Sequence, residues 1–136
     1  MHIDDVAFGG EGVGRVNGFV VFVPLVIEGE TVEAEIIEIK KKFARAELVN
    51  VVEPAVSRVD PSCRFFGDCG GCQYQHMSYE AQLVMKQKQV ASLFGRIGGL
   101  TENRVEPVVA CPQPYHYRNR ILIRSQWNGK AKKLLI

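Results

Sequence analysis

The sequence predicts a mainly β protein with one helix: a small five-stranded barrel, a cysteine-rich loop, an α-helix and an incomplete β region. Three observations carry this. Short alternating apolar runs are separated by tight-turn signals, three cysteines fall within ten residues, and one longer stretch has both helical start and stop signals.

The strands come first. Ile3–Phe8 opens the series. Asn17-Gly18 stands between Val13–Val16 and Phe19–Val23, a two-residue hairpin signal, because both central residues of such a turn need positive φ. Glu28-Gly29-Glu30 marks a further turn. Thr31–Ile36 alternates, with Val32, Ala34 and Ile36 on one face and Glu33 and Glu35 on the other. Phe43–Val52 places Ala44, Ala46 and Leu48 on one face. About five strands in some fifty residues leave two open edges unless the sheet closes, so a barrel of the oligonucleotide-binding kind is expected over residues 1–56. Gly9-Gly10-Glu11-Gly12-Val13-Gly14 precedes a hairpin, whereas a phosphate-cradling loop needs a helix after it; a glycine-rich bend is the expectation.

Residues 57–77 read as a linker, Glu53-Pro54 to Asp60-Pro61, running into the cysteine loop. Residues 78–136 begin with Ser78 as N-cap and Glu80 in the first turn, and the helix is expected from Tyr79 to Phe94. Leu83, Val90, Phe94 and Ile97 form its apolar stripe, while Gln82, Lys86, Gln87, Lys88 and Gln89 form its polar side. Tyr117–Trp127 and Ala131–Ile136 flank Asn128-Gly129 as a second hairpin. A lone hairpin ending on Leu134-Leu135-Ile136 lacks a packing partner, so the sheet is expected to be the start of a longer one.

A hydrophobic content of 46% and a charged content of 24% exclude a disordered chain. Residues 1–57 hold 5 Lys/Arg and 10 Asp/Glu, so 5 − 10 = −5, whereas residues 58–136 hold 12 and 5, so 12 − 5 = +7. A basic second part suits a polyanion, and nucleic acid is the commonest. The N-terminus lacks a basic start and an apolar core, and Phe19–Ile27 is too short to span a bilayer, so a cytoplasmic protein is expected. Clustered thiols in that compartment favour metal or redox chemistry over disulfides.

Cys63, Cys69 and Cys72 have the spacing C-x5-C-x2-C, with Gly70-Gly71 allowing the backbone to wrap. An iron–sulfur cluster takes four ligands, of which these supply three. Zinc would accept the same three with His76, and unligated thiols are the third reading. Cys111, 39 positions past Cys72, is either a fourth ligand or a buried thiol. Lys40, Lys41 and Lys42, with Arg45, lie between two strands, where single-stranded nucleic acid often sits on a small barrel or where a solvated turn would carry them. Tyr115-His116-Tyr117-Arg118-Asn119-Arg120 mixes aromatic faces for stacking with guanidinium groups for phosphate; strand aromatics in a core are the alternative.

The string P-x-C-x-F-F-G-x-C-G-G-C-x-x-Q-H-x-x-Y-x-x-Q-L-x-x-K, Pro61 to Lys86, resembles the cluster segment of the bacterial RNA uracil-C5 methyltransferases. Gly12-Val13-Gly14-Arg15, Phe22-Val23-Pro24, Gly29-Glu30 and Lys41-Lys42-Phe43-Ala44-Arg45-Ala46 are similar to the TRAM domain of the ribosomal-RNA branch, and Tyr117-Arg118-Asn119-Arg120 to the start of the central domain. The resemblance implies a [4Fe–4S] cluster on Cys63, Cys69 and Cys72, with its fourth cysteine further on than Cys111. RNA contacts are expected at Arg15, Lys40, Lys41, Lys42, Arg45, Lys86, Tyr117, Arg118 and Arg120. The resemblance also implies an S-adenosylmethionine-dependent catalytic domain that these residues do not include, so the chain is expected to be a monomeric RNA-recognition part, inactive alone. A free-standing zinc- or cluster-containing RNA-binding module is the alternative.

Overall fold

The structure, a computed structural model, describes residues 1–100, 105–117, 119–120, 126–128 and 133–135. Five strands, β1 (Ile3–Val6), β2 (Gly12–Val16), β3 (Phe19–Val23), β4 (Thr31–Ile39) and β5 (Phe43–Glu53), form one sheet in the order β1-β2-β3-β5-β4. The Asn17-Gly18 turn takes φ of 51° and 80°, the left-handed pair that matches the twist of β2 and β3. β3 then pairs β5 in parallel, Val20 opposite Phe43 and Phe22 opposite Arg45. The sheet closes through His2 and Thr31, where the Ile3 amide donates to the Glu30 carbonyl at 2.9 Å and the Val32 amide to the Met1 carbonyl at 2.8 Å. Closure leaves β1 without an open edge over this stretch.

Inward alternation fills the barrel with Ile3, Val21, Val23, Val26, Val32, Ala44 and Ala46. Gly14 lies among them because an added Cβ would collide with the His2 carbonyl and the Met1 side chain. The alternation expected in β4 holds through Val32, Glu33 and Ala34 and then fails. Bulges at Glu33/Ala34 and Ile36/Glu38 rotate the strand, leaving Ile36, Ile37 and Ile39 exposed.

The linker is tied to the barrel by a residue that the sequence placed only in a turn. Glu30 is fully buried, and its carboxylate accepts from Arg58 Nε at 2.5 Å and Nη2 at 2.8 Å, and from the Ile27 and Ala55 amides at 2.8 and 3.2 Å. Arg58 also donates to the Leu25 carbonyl at 3.0 Å. Beside it the chain returns: Val59 donates to the His76 carbonyl at 3.0 Å, and Ser78 to the Ser57 carbonyl at 2.8 Å. The cysteine loop is therefore an excursion whose two feet are hydrogen-bonded together.

Helix α1 (Tyr79–Arg96) starts at the expected cap, with the Ser78 hydroxyl accepting from the Ala81 amide at 3.4 Å. Its orientation differs from the sequence expectation. Met85 is the buried residue and joins Val6, Ile27 and Met77 in a second core. Val90, Phe94 and Ile97 are instead exposed, Ile97 by 82%. The expected polar side supplies contacts to the barrel and to the foot of the cysteine loop. Gln82 Nε2 donates to the Tyr74 and Met77 carbonyls, both at 3.0 Å, and Gln89 Nε2 to Val6 and Ala7 at 3.1 and 3.0 Å. Lys88 pairs with Asp5 and Glu28 at 3.0 and 2.6 Å. Carbonyls at the barrel end and at the foot of the cysteine loop need donors, and glutamines supply them where leucines cannot.

The second hairpin is described only in β6 (Gln126–Asn128) and β7 (Lys133–Leu135), which pair antiparallel. The remainder of 117–136 that was expected to be strand lies outside the described residues or is irregular. No helix among the described residues is long and apolar enough to cross a membrane.

Candidate nucleic-acid interface and cysteine hollow

Two surfaces carry the chemistry. The first is the outer face of β2, β3 and β5. Inward positions there are taken by Gly12, Gly14, Val21, Val23, Ala44 and Ala46, so Arg15, Phe22, Phe43 and Arg45 point outward. Phe22 and Phe43 meet edge to face with centroids 5.5 Å apart, half-buried, with exposed Arg15 and Arg45 on the flanking positions. Arg15 pairs with Asp4 at 3.0 Å and Arg45 with Glu11 at 2.8 Å. Both pairs are solvent-exposed and weak, so a phosphate can replace the carboxylate at small cost. Sequence reasoning named the arginines but missed the phenylalanines. They lie 21 positions apart, and only the parallel β3–β5 pairing brings them together.

Lys40, Lys41 and Lys42 sit at the β4–β5 turn. Lys40 pairs with Glu38, while Lys41 and Lys42 have no ion pair among the described residues. The turn is solvated, as the plainer sequence reading had it, and two of its three cations are unpaired.

The second surface is a hollow of about 1000 Å³ between the cysteine loop, the first half of α1 and residues 111–117. Cys63, Cys72 and Cys111 line it, as do Lys86, Tyr115 and Tyr117. Lys86 has no ion pair among the described residues, and Tyr117 is 68% exposed, so it is not a core aromatic. Arg120 is exposed, and Arg118 lies outside the described residues.

All four cysteines are free and exposed. The loop turns tightly: the Phe66 amide donates to the Cys63 carbonyl at 3.0 Å and the Cys69 amide to Phe65 at 2.9 Å. The left-handed residue is Gly67, φ 97°, not either member of the Gly70-Gly71 pair that was expected to let the chain wrap. Gln75 joins the Cys63 backbone to the Cys72 thiol. Its Oε1 accepts from the Cys63 amide at 3.2 Å, and its Nε2 donates to Cys72 Sγ at 3.1 Å.

These donors suit a soft metal centre, and their arrangement bears on its type. Among the described residues no three His, Cys, Asp or Glu side chains are gathered around a single ion. A cube of four irons makes a different demand, because each thiolate binds its own iron and the sulfurs need not converge on a point. His76, the fourth member of a zinc set, is 2% exposed. Its ring lies 5.5 Å from that of Phe66, and its Nε2 is 3.3 Å from the Val26 carbonyl. Burial pushes the imidazole below its ordinary pKa, and the Arg58 charge adds to this, outweighing the Val26 carbonyl and Glu30. It is therefore neutral and belongs to the packing beneath the loop, away from the exposed thiols.

Comparison with known proteins agrees with this division. Residues 2–49 match the TRAM domain family. An uncharacterized RNA methyltransferase of Halalkalibacterium halodurans is 41% identical over 118 residues, 87% of this chain and 26% of that protein. One of Clostridium tetani is 41% identical over 121 residues, 89% of the chain and 26% of its own length. One of Synechocystis is 42% identical over 111 residues, covering 82% and 24%. The barrel at the N-terminus is thus a TRAM domain, and the chain as a whole is homologous to about a quarter of the length of proteins named RNA methyltransferases.

Proposed function

We propose that this chain is the RNA-recognition portion of an RNA methyltransferase that modifies carbon 5 of uridine in ribosomal RNA, with S-adenosylmethionine bound elsewhere in the complete enzyme. The observation that carries the RNA reading is the outer barrel face, where Phe22 and Phe43 form an aromatic platform between Arg15 and Arg45. Unpaired bases stack on such a platform whatever their sequence, and the flanking cations take the phosphates. The uridine and ribosomal parts rest on the resemblance of Pro61–Lys86 and of the barrel to that enzyme family.

Cys63, Cys69 and Cys72 hold a [4Fe–4S] cluster in this reading. The cluster supplies structure: it joins the loop to α1 and fixes Lys86 and the tyrosines around the hollow. Methyl transfer needs no electron, so the chain's own contribution is to grip and orient RNA.

The test is binding of a single-stranded oligoribonucleotide across a salt series. Each phosphate contact contributes about 0.7 to the log–log slope, so Arg15→Ala with Arg45→Ala should lower it by about 1.4. Phe43→Ala should weaken binding at every salt concentration. Unchanged binding by both the double variant and Phe43→Ala overturns the platform. The chain alone should transfer no methyl group from labelled S-adenosylmethionine to RNA, and transfer would show that its catalytic residues lie within these 136 positions.

A further inference from the structure

We propose that the open edge of β4 is a docking slot for an extended strand of a partner protein, one that alternates apolar residues with Lys or Arg. The inference goes beyond the RNA reading and stands independently of it.

The barrel closes at one rung and is open past it. β1 pairs β2 only as far as Gly14, and the chain before it meets β4 only at His2–Thr31 and through the Met1–Val32 backbone bonds. Beyond that rung, among the described residues, Arg15 and Val16 pair only with β3, and residues 33–39 of β4 pair only with β5. β4 therefore presents a row of unpaired backbone donors and acceptors. The gap between the two edges is an apolar groove of about 490 Å³ lined by Val16, Phe19, Val21, Ala34, Ile36 and Ile39. The bulges in β4 leave Ile36 half-exposed and Ile39 exposed by 75%. A free strand edge beside an apolar groove fits an added strand, because main-chain pairing supplies affinity while every second side chain enters the groove. A sugar–phosphate backbone has no amides with which to continue the ladder.

Charge selects the strand. In the β4–β5 register Ala34 stands opposite Leu48 and Ile36 opposite Ala46, on the inner side. On the outer side Glu33 stands opposite Asn50 and Glu35 opposite Glu47. Like charges directly opposite one another weaken a strand pair. Glu33, Glu35 and Glu47 have no ion pair among the described residues, whereas Glu38 is paired with Lys40, and Arg15, across the slot, with Asp4. A strand laid beside β4 puts its inward side chains against Ile36 and its outward ones beside Glu33 and Glu35. Lys or Arg at the outward positions relieves the repulsion, and Asp or Glu there adds to it.

The experiment uses the whole chain and a synthetic peptide of alternating valine and lysine. A valine–glutamate peptide and a backbone N-methylated valine–lysine peptide are the controls. Affinity is measured by calorimetry, and amide hydrogen exchange is followed along β4. The valine–lysine peptide should bind and slow exchange at residues 33–39, and the two controls should do neither. Glu33→Gln with Glu35→Gln, and separately Ile36→Lys, should each weaken binding by about tenfold. Ile36 is half-exposed, so circular dichroism should show its variant folded; the glutamine pair leaves the groove untouched. Phe43→Ala should keep the peptide while losing RNA, so failure of either reading shows separately.

Binding without protection of β4, equal binding of the glutamate peptide, or unchanged affinity in the glutamine pair and Ile36→Lys overturns the slot. Loss of the peptide in Phe43→Ala moves it to the RNA platform and overturns the slot as well. Dimers of the free chain that protect the same amides would make a second copy the occupant, and protection by an oligoribonucleotide would make it RNA. Either result overturns a basic partner strand.

Discussion

The barrel and the cysteine hollow are built by opposite means. The barrel is held by paired strands, an apolar interior and one ion pair whose carboxylate is buried, and its surface chemistry is fixed by strand register. The hollow is held by a side-chain amide reaching a backbone amide and a thiol, and its donors are exposed on a loop. The difference teaches where each region's order originates. Barrel geometry follows from hydrophobic burial and closure, whereas the hollow has thiols that fold alone leaves ungathered, so an added group has something to organise there.

The largest effect should come from breaking the ion pair that joins the two regions. Arg58→Ala leaves the Glu30 carboxylate buried without its partner and should cost about 3–5 kcal/mol in urea unfolding. Loss of under about 1 kcal/mol would show that the linker is not anchored by this pair. Changing a thiol should do far less: Cys63→Ser in iron-free protein should leave the unfolding midpoint nearly unmoved, and a large loss would place that thiol in the packing rather than at a metal.

RNA affinity should divide the regions next. Phe43→Ala should weaken binding by about 1–3 kcal/mol at all salt concentrations. Tyr117→Ala gives the matching measurement in the hollow. With Tyr117 exposed, its melting temperature should stay near wild type, and an affinity loss of similar size would put both regions on one RNA path. No affinity loss would confine stacking to the barrel.

Acid should act in two steps. His76 has a lowered folded pKa, so as pH falls through about 6.5 the unfolded chain takes up its proton first and stability declines. Glu30 follows. Burial pushes its carboxyl up, but the Arg58 hydrogen bonds, the Ile27 and Ala55 amides and the Arg58 charge outweigh burial and hold it below 4.5. Its stabilisation is complete above the unfolded value and is lost as pH drops through the folded one. Unfolding midpoints against pH should therefore be flat above about 7, bend near 6.5 and bend again below 4.5. His76→Gln should remove the first bend only. The smallest effect belongs to the β4–β5 turn: Lys41→Ala with Lys42→Ala should lower the salt slope by at most about 1.4 without changing stability.

The two regions were also unequally legible. Asn17-Gly18, the alternation in β5 and the Ser78 cap could be read because each signal is local. The closure at His2–Thr31 and the parallel β3–β5 pairing join distant segments, so the Phe22–Phe43 pair was invisible. The helix misled for a physical reason. Periodicity assumes that the apolar face is the buried one, but α1 meets carbonyls of the barrel end and of the cysteine loop's foot, and Gln89 and Gln82 answer those better than Phe94 or Ile97. The cysteine motif announced itself by spacing. That Cys111 returns to its hollow was not readable, because the fold-back depends on a tyrosine hydroxyl and a glutamine amide that carry no pattern.

The glutamine joints also set how the protein ages. Slow deamidation turns a glutamine into glutamate with almost no change in shape, but a donor becomes an anionic acceptor. At Gln82 the new charge would face the Tyr74 and Met77 carbonyl oxygens, and at Gln89 those of Val6 and Ala7. Repulsion would then replace attraction on both contacts of each side chain. Stored protein should lose amide-exchange protection in α1 before the barrel strands loosen, and Gln82→Glu should reproduce that loss in fresh material.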